Sequence, residues 1–323
     1  MIANVKVKYK TTQCTTCVLY CLLCKMEFGR IDISELSEID FGLPADSELT
    51  NKTLLESKTT DGLNIYVGCP RWGNKGWIGR VYPPKTKENQ FLSEYSKQFN
   101  TIELNATFYS IPKPEDVKRW KDQASVRPDF KFCPRFPQAI THIRRLKNAE
   151  EQTAQFYESL KGFGDKLGAL FLQLGDNFSP KSFDNLKPYL ETLPTGTPVF
   201  LEVRHKDWYK DPEVRQKLFN MLRELKFGAV ITDTAGRRDC VHMELTTPHT
   251  MIRFVGSNLH PTDYTHADAW VRRIKSWKEK GLQTVWFFVH QEDENNSPEM
   301  CDYIIKKLNK ELGTTVKPPT LIS

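Results

Sequence analysis

The feature that most constrains the fold is a regular alternation, along residues 64–312, of short apolar runs with longer amphipathic stretches. Most of the short runs are rich in β-branched and aromatic residues and are apolar at nearly every position, which is typical of strands buried on both faces. We therefore predict eight strands, at Ile65–Cys69, Thr101–Ala106, Lys131–Phe136, Ala169–Leu174, Val199–Arg204, Ala229–Asp233, Met251–Gly256 and Thr284–His290.

Amphipathic stretches with helical spacing separate these runs. Three of them start with a proline, which the first turn of a helix tolerates because its N–H has no partner there. The predicted helices are Glu88–Phe99, Pro114–Ala124, Glu150–Phe163, Ser182–Thr192, Pro212–Lys226, Ala267–Lys280 and Pro298–Leu312. The connection over residues 234–250 is short, so we expect an irregular turn there.

Strict alternation of strand and helix predicts an α/β fold, specifically a closed parallel (β/α)8 TIM-type barrel. An open doubly wound sheet is the alternative, but it would usually carry G-x-G-x-x-G after the first strand, and residues 68–79 lack that pattern. We assign residues 63–314 to the barrel and 315–323 to a tail. Residues 1–62 form a poorly structured extension, of which 1–25 are dispensable, with Met26 as a possible start.

Composition adds little beyond a globular class. The 323 residues contain 46 Lys and Arg and 40 Asp and Glu, which gives a formal net charge of +6. That excess is compatible with an anionic ligand or weak nucleic-acid contact and requires neither. No apolar run is long enough to span a membrane, so we expect a cytoplasmic protein. Four cysteines, Cys14, Cys17, Cys21 and Cys24, could bind a metal, although their spacing is unlike that of zinc or iron–sulfur sites.

Polar residues concentrate where the predicted strands end, and barrel enzymes build their sites at that rim. An ionisable group inside an apolar strand is costly unless it is paired or lies in a solvated cavity, so we expect a polar pocket. The candidate catalytic residues are Glu103, Glu202, Asp233 and His205. The candidate substrate-binding residues are Arg71, Trp72, Asn105, Thr107, Tyr109, Arg135, His142, Gln173, Arg204, Arg253 and His290.

The motifs of this region resemble those of the YecE-like domain-of-unknown-function family. They are the segments Tyr66–Gly73, Trp77–Pro84, Phe99–Pro112, Thr141-His142, Phe171–Leu174, Leu201–Trp208 and Arg253–Gly256, in that order. The resemblance implies a TIM-type barrel without a settled activity. The sequence departs from the family pattern at Gly175-Asp176, where many relatives have two prolines, and at residues 288–292, where many have an Asn-rich segment.

Several functions are compatible with such a rim. The first is an enzyme, a hydrolase or isomerase, that acts on a phosphate-bearing substrate held by arginines, with Glu103 and Glu202 as acid and base. A variant adds a divalent metal on Glu103, Glu202 and Asp233, with His205 or His290. The alternatives are a nucleic-acid-binding or processing protein, by analogy with endonuclease IV barrels, and a non-catalytic ligand-binding protein. The oligomeric state is not predicted.

Overall fold

The computed structural model describes residues 28–57 and 62–322. The predicted start at Met26 and the four clustered cysteines lie outside these residues. Eight parallel strands occupy the predicted positions: β1 Asn64–Gly68, β2 Thr101–Leu104, β3 Lys131–Pro134, β4 Leu170–Gln173, β5 Val199–Glu202, β6 Gly228–Asp233, β7 His249–Gly256 and β8 Thr284–Gln291.

Helices follow most of the strands. The α-helices are α1 Glu48–Leu55, α2 Phe91–Gln98, α3 Ala106–Tyr109, α4 Pro114–Gln123, α5 Glu150–Leu160, α6 Phe183–Glu191, α7 Asp207–Lys210, α8 Pro212–Glu224, α9 Pro261–Lys280 and α10 Ser297–Leu312. As expected, the β6–β7 connection contains only a 3-10 turn, Arg238–Cys240. The fold is therefore α/β with parallel strands, as predicted.

The strands are divided between two sheets rather than one continuous ladder. Six strands pair in the order β1-β8-β7-β6-β5-β4, and β2 pairs with β3. Individual hydrogen bonds span both gaps: the Glu103 N–H donates to the Cys69 carbonyl at 3.2 Å, and the Phe136 N–H donates to the Phe171 carbonyl at 2.8 Å. The predicted single closed ladder is thus replaced by a six-stranded and a two-stranded sheet with isolated contacts between them.

Residues 28–57 pack against the strand-and-helix region. Asp46 accepts hydrogen bonds from Arg273 at 2.7 Å and from the Trp277 indole at 2.9 Å, both on α9. The Thr50 hydroxyl on α1 bonds to the Met243 carbonyl at 2.7 Å, and Leu54 is fully buried. Since these contacts run along α9 and the β6–β7 connection, α1 covers the side of the fold where no long helix follows β6. This part of the predicted extension is consequently well ordered.

Within the part of the chain that the structure describes, no helix has both the length and the apolar character needed to cross a bilayer.

Candidate functional site

The candidate site begins where the inner faces of the strands change from apolar to polar. A buried layer on these faces includes Cys133, Phe171, Phe200, Val230, Met251 and Phe288. Two positions farther along the same strands, the residues are Arg135, Gln173, Glu202, Thr232, Arg253 and His290. Because alternate residues of a strand share a face, these polar groups form a ring directly above the apolar layer.

Arg253 on β7 lies at the centre of this ring and is almost fully buried. Its Nε donates to Glu103 Oε2 at 2.9 Å and its Nη2 donates to Glu103 Oε1 at 3.1 Å, a bidentate ion pair. Burial by itself favours the neutral form of Glu103, but Arg253 and His290 hold the pKa of this carboxyl well below its ordinary value. Glu103 is therefore an ionised carboxylate with fixed orientation.

Glu202 on β5 is paired in a similar way. The Arg204 Nε donates to its Oε1 at 2.8 Å, and the Arg253 Nη1 donates to its Oε2 at 3.3 Å. Burial opposes ionisation here also, yet the two guanidinium groups lower the pKa of Glu202. Arg253 thus joins the two carboxylates that the sequence assigned to acid–base chemistry, and both are held in the charged form.

His290 at the end of β8 contacts the same network. Its Nε2 lies 3.1 Å from Glu103 Oε2, and its Nδ1 lies 3.6 Å from Glu294 Oε1. Burial lowers the proton affinity of the ring, but the Glu103 carboxylate outweighs burial and raises the pKa of His290 above its ordinary value. An imidazole between two carboxylates retains a proton to higher pH than a free histidine.

Arg135 follows β3 and differs from Arg253 and Arg204 in its partners. Its Nη1 donates to Asn105 Oδ1 at 3.3 Å, its Nε is buried without a hydrogen-bond partner, and it makes no ion pair among the described residues. The guanidinium lies 3.7 Å from the centre of the Phe108 ring. Burial, followed by repulsion from Arg204 and Arg253, lowers the pKa of Arg135 to about 9.

A cavity of about 670 Å³ opens above this network. Eight of the predicted site residues line it: Arg71, Trp72, Glu103, Asn105, Tyr109, Arg135, Arg253 and His290. The structure therefore brings these eight together at the carboxyl ends of the strands, as the barrel argument requires. The cavity combines charged groups with exposed aromatic surface, since the Tyr109 side chain is 56% exposed.

Four other predicted residues do not line this cavity. Glu202 and Arg204 belong to the ion-pair network and are joined to the cavity wall through Arg253. Gln173 is buried on β4 and its Oε1 has no hydrogen-bond partner among the described residues. His142 stacks edge-on against Phe108, and burial, then Arg135 and Arg204, lowers the pKa of His142 to about 4.

Alternation along the second predicted strand would place Glu103, Asn105 and Thr107 on one face, but Thr107 does not share a strand face with Glu103 in the structure. Strand β2 ends at Leu104, and Asn105 has helical backbone angles of φ −75° and ψ −15°. Thr107 therefore lies in α3, where its hydroxyl is within hydrogen-bond distance of the Leu104 and Arg135 carbonyls, at 2.8 and 2.7 Å. Its position indicates a role in joining β2 to β3.

Asp233 faces away from the cavity. In the strand register Val230 pairs with Met251 of the inner layer, so Asp233, three residues later, lies on the outer face. There it contacts Arg238, His266 and the Trp270 indole, with α9 beside it. Burial favours the neutral acid, but His266 and Arg238 keep the pKa of Asp233 below its ordinary value. The structure thus separates Asp233 from the carboxylates it was grouped with.

The predicted metal site is not assembled. His205 is in the loop before α7, where its Nδ1 accepts the Asp207 N–H at 3.2 Å. Asp233 is on the outer face, and the Arg253 guanidinium is bonded to both Glu103 and Glu202. A guanidinium bonded to both carboxylates does not suit a divalent cation. In residues 28–57 and 62–322, no group of three His, Cys, Asp or Glu side chains is placed to hold a metal ion.

The basic residues that favour nucleic-acid binding occur in three clusters, and four of these residues form ion pairs within the chain. The clusters are Arg144, Arg145 and Lys147; Arg237 and Arg238; and Arg272, Arg273 and Lys275. Arg237 pairs with Asp239, Arg238 with Asp233, Arg273 with Asp46 and Lys275 with Glu311. These ion pairs reduce the positive charge that the clusters can offer to a phosphate backbone. Nucleic-acid binding stays an untested prediction.

Sequence reasoning missed several residues of the cavity wall. Phe28–Ile31, which belong to the predicted extension, line it on one side, and Glu292–Asn295 line it on another. The second segment could have been recognised, because His290 and Glu294 are four residues apart at the end of a strand. The first carries no local signal, since only the tertiary structure places it at the cavity.

Comparison with known proteins agrees with this architecture. The family model described as "Protein of unknown function DUF72" matches residues 66–321. The UPF0759 protein YecE of Escherichia coli K12 is 29% identical over 266 residues, which are 77% of this chain and 94% of the relative. The UPF0759 protein YunF of Bacillus subtilis is 27% identical over 209 residues, covering 60% of this chain and 71% of the relative.

Two solved structures of DUF72 family proteins have a similar fold. The Enterococcus faecalis protein superposes with a TM-score of 0.59 at 17% identity, covering 79% of this chain and all of the other. The Thermotoga maritima protein also gives 0.59, at 20% identity, covering 78% of this chain and all of the other. The family model spans most of the sequence and contains every predicted site residue, and the resemblance read from the motifs is thereby confirmed. The chain belongs to the DUF72 family.

Proposed function

We propose that the cavity binds a small molecule carrying a phosphate or carboxylate group, and that Arg135 is its principal cationic contact. The observation that carries this proposal is that the Arg135 guanidinium lines the cavity without an ion pair among the described residues. A partly buried cation without a counter-charge is costly, and an anion bound beside it in the cavity would offset that cost.

The charge balance of the network supports an anionic ligand. Two carboxylates, Glu103 and Glu202, are matched by the guanidinium groups of Arg253 and Arg204. Arg135 is then a surplus positive charge; burial first, and then repulsion from Arg204 and Arg253, lowers its pKa to about 9. An incoming oxyanion would neutralise it. The planar fork of an arginine suits a phosphate or carboxylate particularly well.

We further propose that the site is catalytic and that His290 supplies the proton. The low pKa values of Glu103 and Glu202 make both carboxylates poor proton donors at neutral pH. His290 lines the same cavity, and the Glu103 carboxylate raises the pKa of its ring, so the ring keeps a proton more readily than a free histidine. Glu103 would position the imidazole through Nε2, and the proton on Nδ1, which lies 3.6 Å from Glu294, would pass to the ligand as a general acid. A hydrolase or an isomerase would be compatible with this arrangement.

The position of the cavity also favours a barrel-type site. We propose that the two sheets act as one closed (β/α)8 barrel in which the hydrogen bonds between β1 and β2 and between β3 and β4 complete the ring.

We place the protein in the cytoplasm, since the four cysteines among the described residues are buried free thiols, as expected in a reducing compartment.

Calorimetric titration with inorganic phosphate tests the binding part of the proposal. The wild type should bind, and Arg135→Gln should bind at least about tenfold more weakly, because a charge-assisted contact contributes about 1.5–3 kcal/mol. Arg119→Gln is the matched control, since Arg119 is 58% exposed and pairs with Asp116 on a surface helix. Equal affinity of the wild type and Arg135→Gln would contradict the role of Arg135.

Turnover of a panel of phosphorylated compounds tests the catalytic part. A compound that the wild type converts should be bound but converted much more slowly by His290→Gln. If no compound is converted, or if His290→Gln retains full activity, the acid role of His290 is wrong. A protein that binds phosphate through Arg135 without turnover would be the non-catalytic ligand-binding protein considered as an alternative.

A further inference from the structure

We call residues 28–57 the N-terminal arm, and the tip of this arm, residues 28–31, lies across the mouth of the cavity. On one side, the Gly29 carbonyl accepts the Gly236 N–H at 2.8 Å and the Thr234 hydroxyl at 2.9 Å, both just after β6. On the other side, Arg30 Nε lies 3.5 Å from Glu292 Oε1, just after β8. The tip thus connects the ends of two strands and forms part of the cavity wall.

Phe28 covers the arginine that supports the ion-pair network. Its ring centre lies 4.2 Å from the Arg204 guanidinium carbon and 4.7 Å from that of Arg237. Arg204 in turn donates to Glu202. Contact of an aromatic face with two guanidinium groups is a favourable cation–π arrangement. The aromatic ring therefore fixes the tip directly beside the network rather than at a remote surface.

The backbone of the tip is fitted closely to the end of β6. Gly29 has φ +74°, a left-handed conformation that favours glycine. A Cβ at this position would lie 2.3 Å from Thr234 Cγ2, so a larger residue could not keep the same path. This close approach requires glycine at position 29.

The arm lies outside the segment that the family model matches, which begins at residue 66. A part of the cavity wall is therefore supplied by residues beyond the shared family region. We propose that Phe28 and its neighbours in the tip are specificity-determining residues, which limit the size of the anionic group that can reach Arg135. The identity of the ligand as an anion rests on the proposed function, whereas the restriction of size can be tested without it.

Chemical labelling of arginines provides that test. Arg135 in the cavity is treated with 2,3-butanedione, a small reagent, or with the bulkier phenylglyoxal, and labelling is quantified by peptide mass spectrometry. The phenylglyoxal-to-butanedione rate ratio at Arg135 should rise about fivefold to tenfold over wild type in both variants. Phe28→Ala removes the two cation–π contacts that hold the tip, and Gly29→Val cannot keep the backbone path beside Thr234. Exposed Arg119 serves as the internal reference.

Ile33→Ala is the matched variant control, because Ile33 is in the same arm but 60% exposed, and it should leave the ratio unchanged. Far-ultraviolet circular dichroism would verify that each variant is folded. An unchanged ratio in both Phe28→Ala and Gly29→Val would overturn the proposal. If the ratio rises although the wild type binds no phosphate, the size limit imposed by the tip is supported, and only the proposed anion binding is wrong.

Phosphate esters provide a second readout if the wild type binds phosphate. The affinity of 1-naphthyl phosphate relative to inorganic phosphate should increase about fivefold or more in Phe28→Ala, since the cavity gains room for the ring. A parallel change in both affinities would show that Phe28 affects the site without selecting for size, and it would overturn the assignment.

Discussion

Arg253 and Glu103 form a bidentate ion pair between β7 and β2, with both donor–acceptor distances at 2.9–3.1 Å and both side chains buried. The two residues are 150 positions apart in the sequence, and the pair joins the six-stranded sheet to the two-stranded sheet. The same guanidinium also bonds to Glu202. This residue pair is therefore both a structural link and the base of the candidate site.

Replacing Arg253 should strongly destabilise the fold. Arg253→Leu leaves Glu103 without its bidentate partner in a buried position, and breaking such a pair typically costs about 3–5 kcal/mol. Urea denaturation at pH 7 would measure the change. Arg119→Leu, which removes an exposed ion pair, should cost less than about 1 kcal/mol. A loss of similar size in both variants would contradict this view, whereas partial recovery in the double variant Arg253→Leu/Glu103→Gln would support it.

Stability should decrease with acidification below pH 6.5 because of His242. Burial lowers the pKa of this histidine from 6.5 to about 3, so the unfolded chain takes up a proton that the folded protein does not. The contribution of the neutral ring is complete above pH 6.5 and falls as the pH decreases toward 3, by about 2 kcal/mol at pH 5.

Urea denaturation at pH 7, 6 and 5 would measure that slope. Glu103 and Glu202 have lowered pKa values, so their protonation reduces stability only below the ordinary value of 4.5. His290 has a raised pKa, so loss of its proton reduces stability only above pH 6.5. Between these limits the histidines whose pKa is lowered reduce stability as the pH falls, and Asp263, whose pKa is raised by burial, acts in the opposite direction. His242→Gln should flatten the slope substantially. An unchanged slope in this variant would show that His242 is not responsible.

Asp233 should affect stability without affecting the cavity. Asp233→Asn weakens the contacts with Arg238 and His266 and should lower the free energy of unfolding by about 3 kcal/mol. Since Asp233 lies on the outer face, the phosphate affinity of the Asp233→Asn protein should remain within about twofold of wild type. Glu103→Gln is the contrast, because it should change both quantities. A large loss of phosphate affinity in folded Asp233→Asn would show that Asp233 contributes to the site.

The packing of the arm against α9 should depend on Asp46. Asp46→Ala removes an acceptor shared by Arg273, Trp277 and Lys280, and we expect a loss of about 2 kcal/mol together with faster proteolysis of residues 28–57. Limited trypsin digestion followed by mass spectrometry would locate the cuts. Glu48→Ala, at an exposed position in the first turn of α1, is the control. Proteolysis at the wild-type rate would mean that other contacts hold the arm.

Much of the fold could be predicted from local pattern. The eight strands lie where the apolar runs are, and the short β6–β7 connection lacks a long helix as expected. Strand β2 is an instructive exception: the predicted strand continues to Ala106, but the backbone turns helical at Asn105. That turn moved Thr107 out of the face shared with Glu103, because alternation holds only while the chain stays extended.

Local patterns are enough to locate the strands and the polar groups at their ends, since apolar runs and alternation are properties of short stretches of chain. The pairing of Arg253 with Glu103, the outward position of Asp233 and the contact of Phe28 with Arg204 could not be predicted in this way. These outcomes depend on the register between strands and on how a remote segment packs. A shift of one residue between neighbouring strands reverses which side chains face inward, and no short stretch of sequence specifies that register.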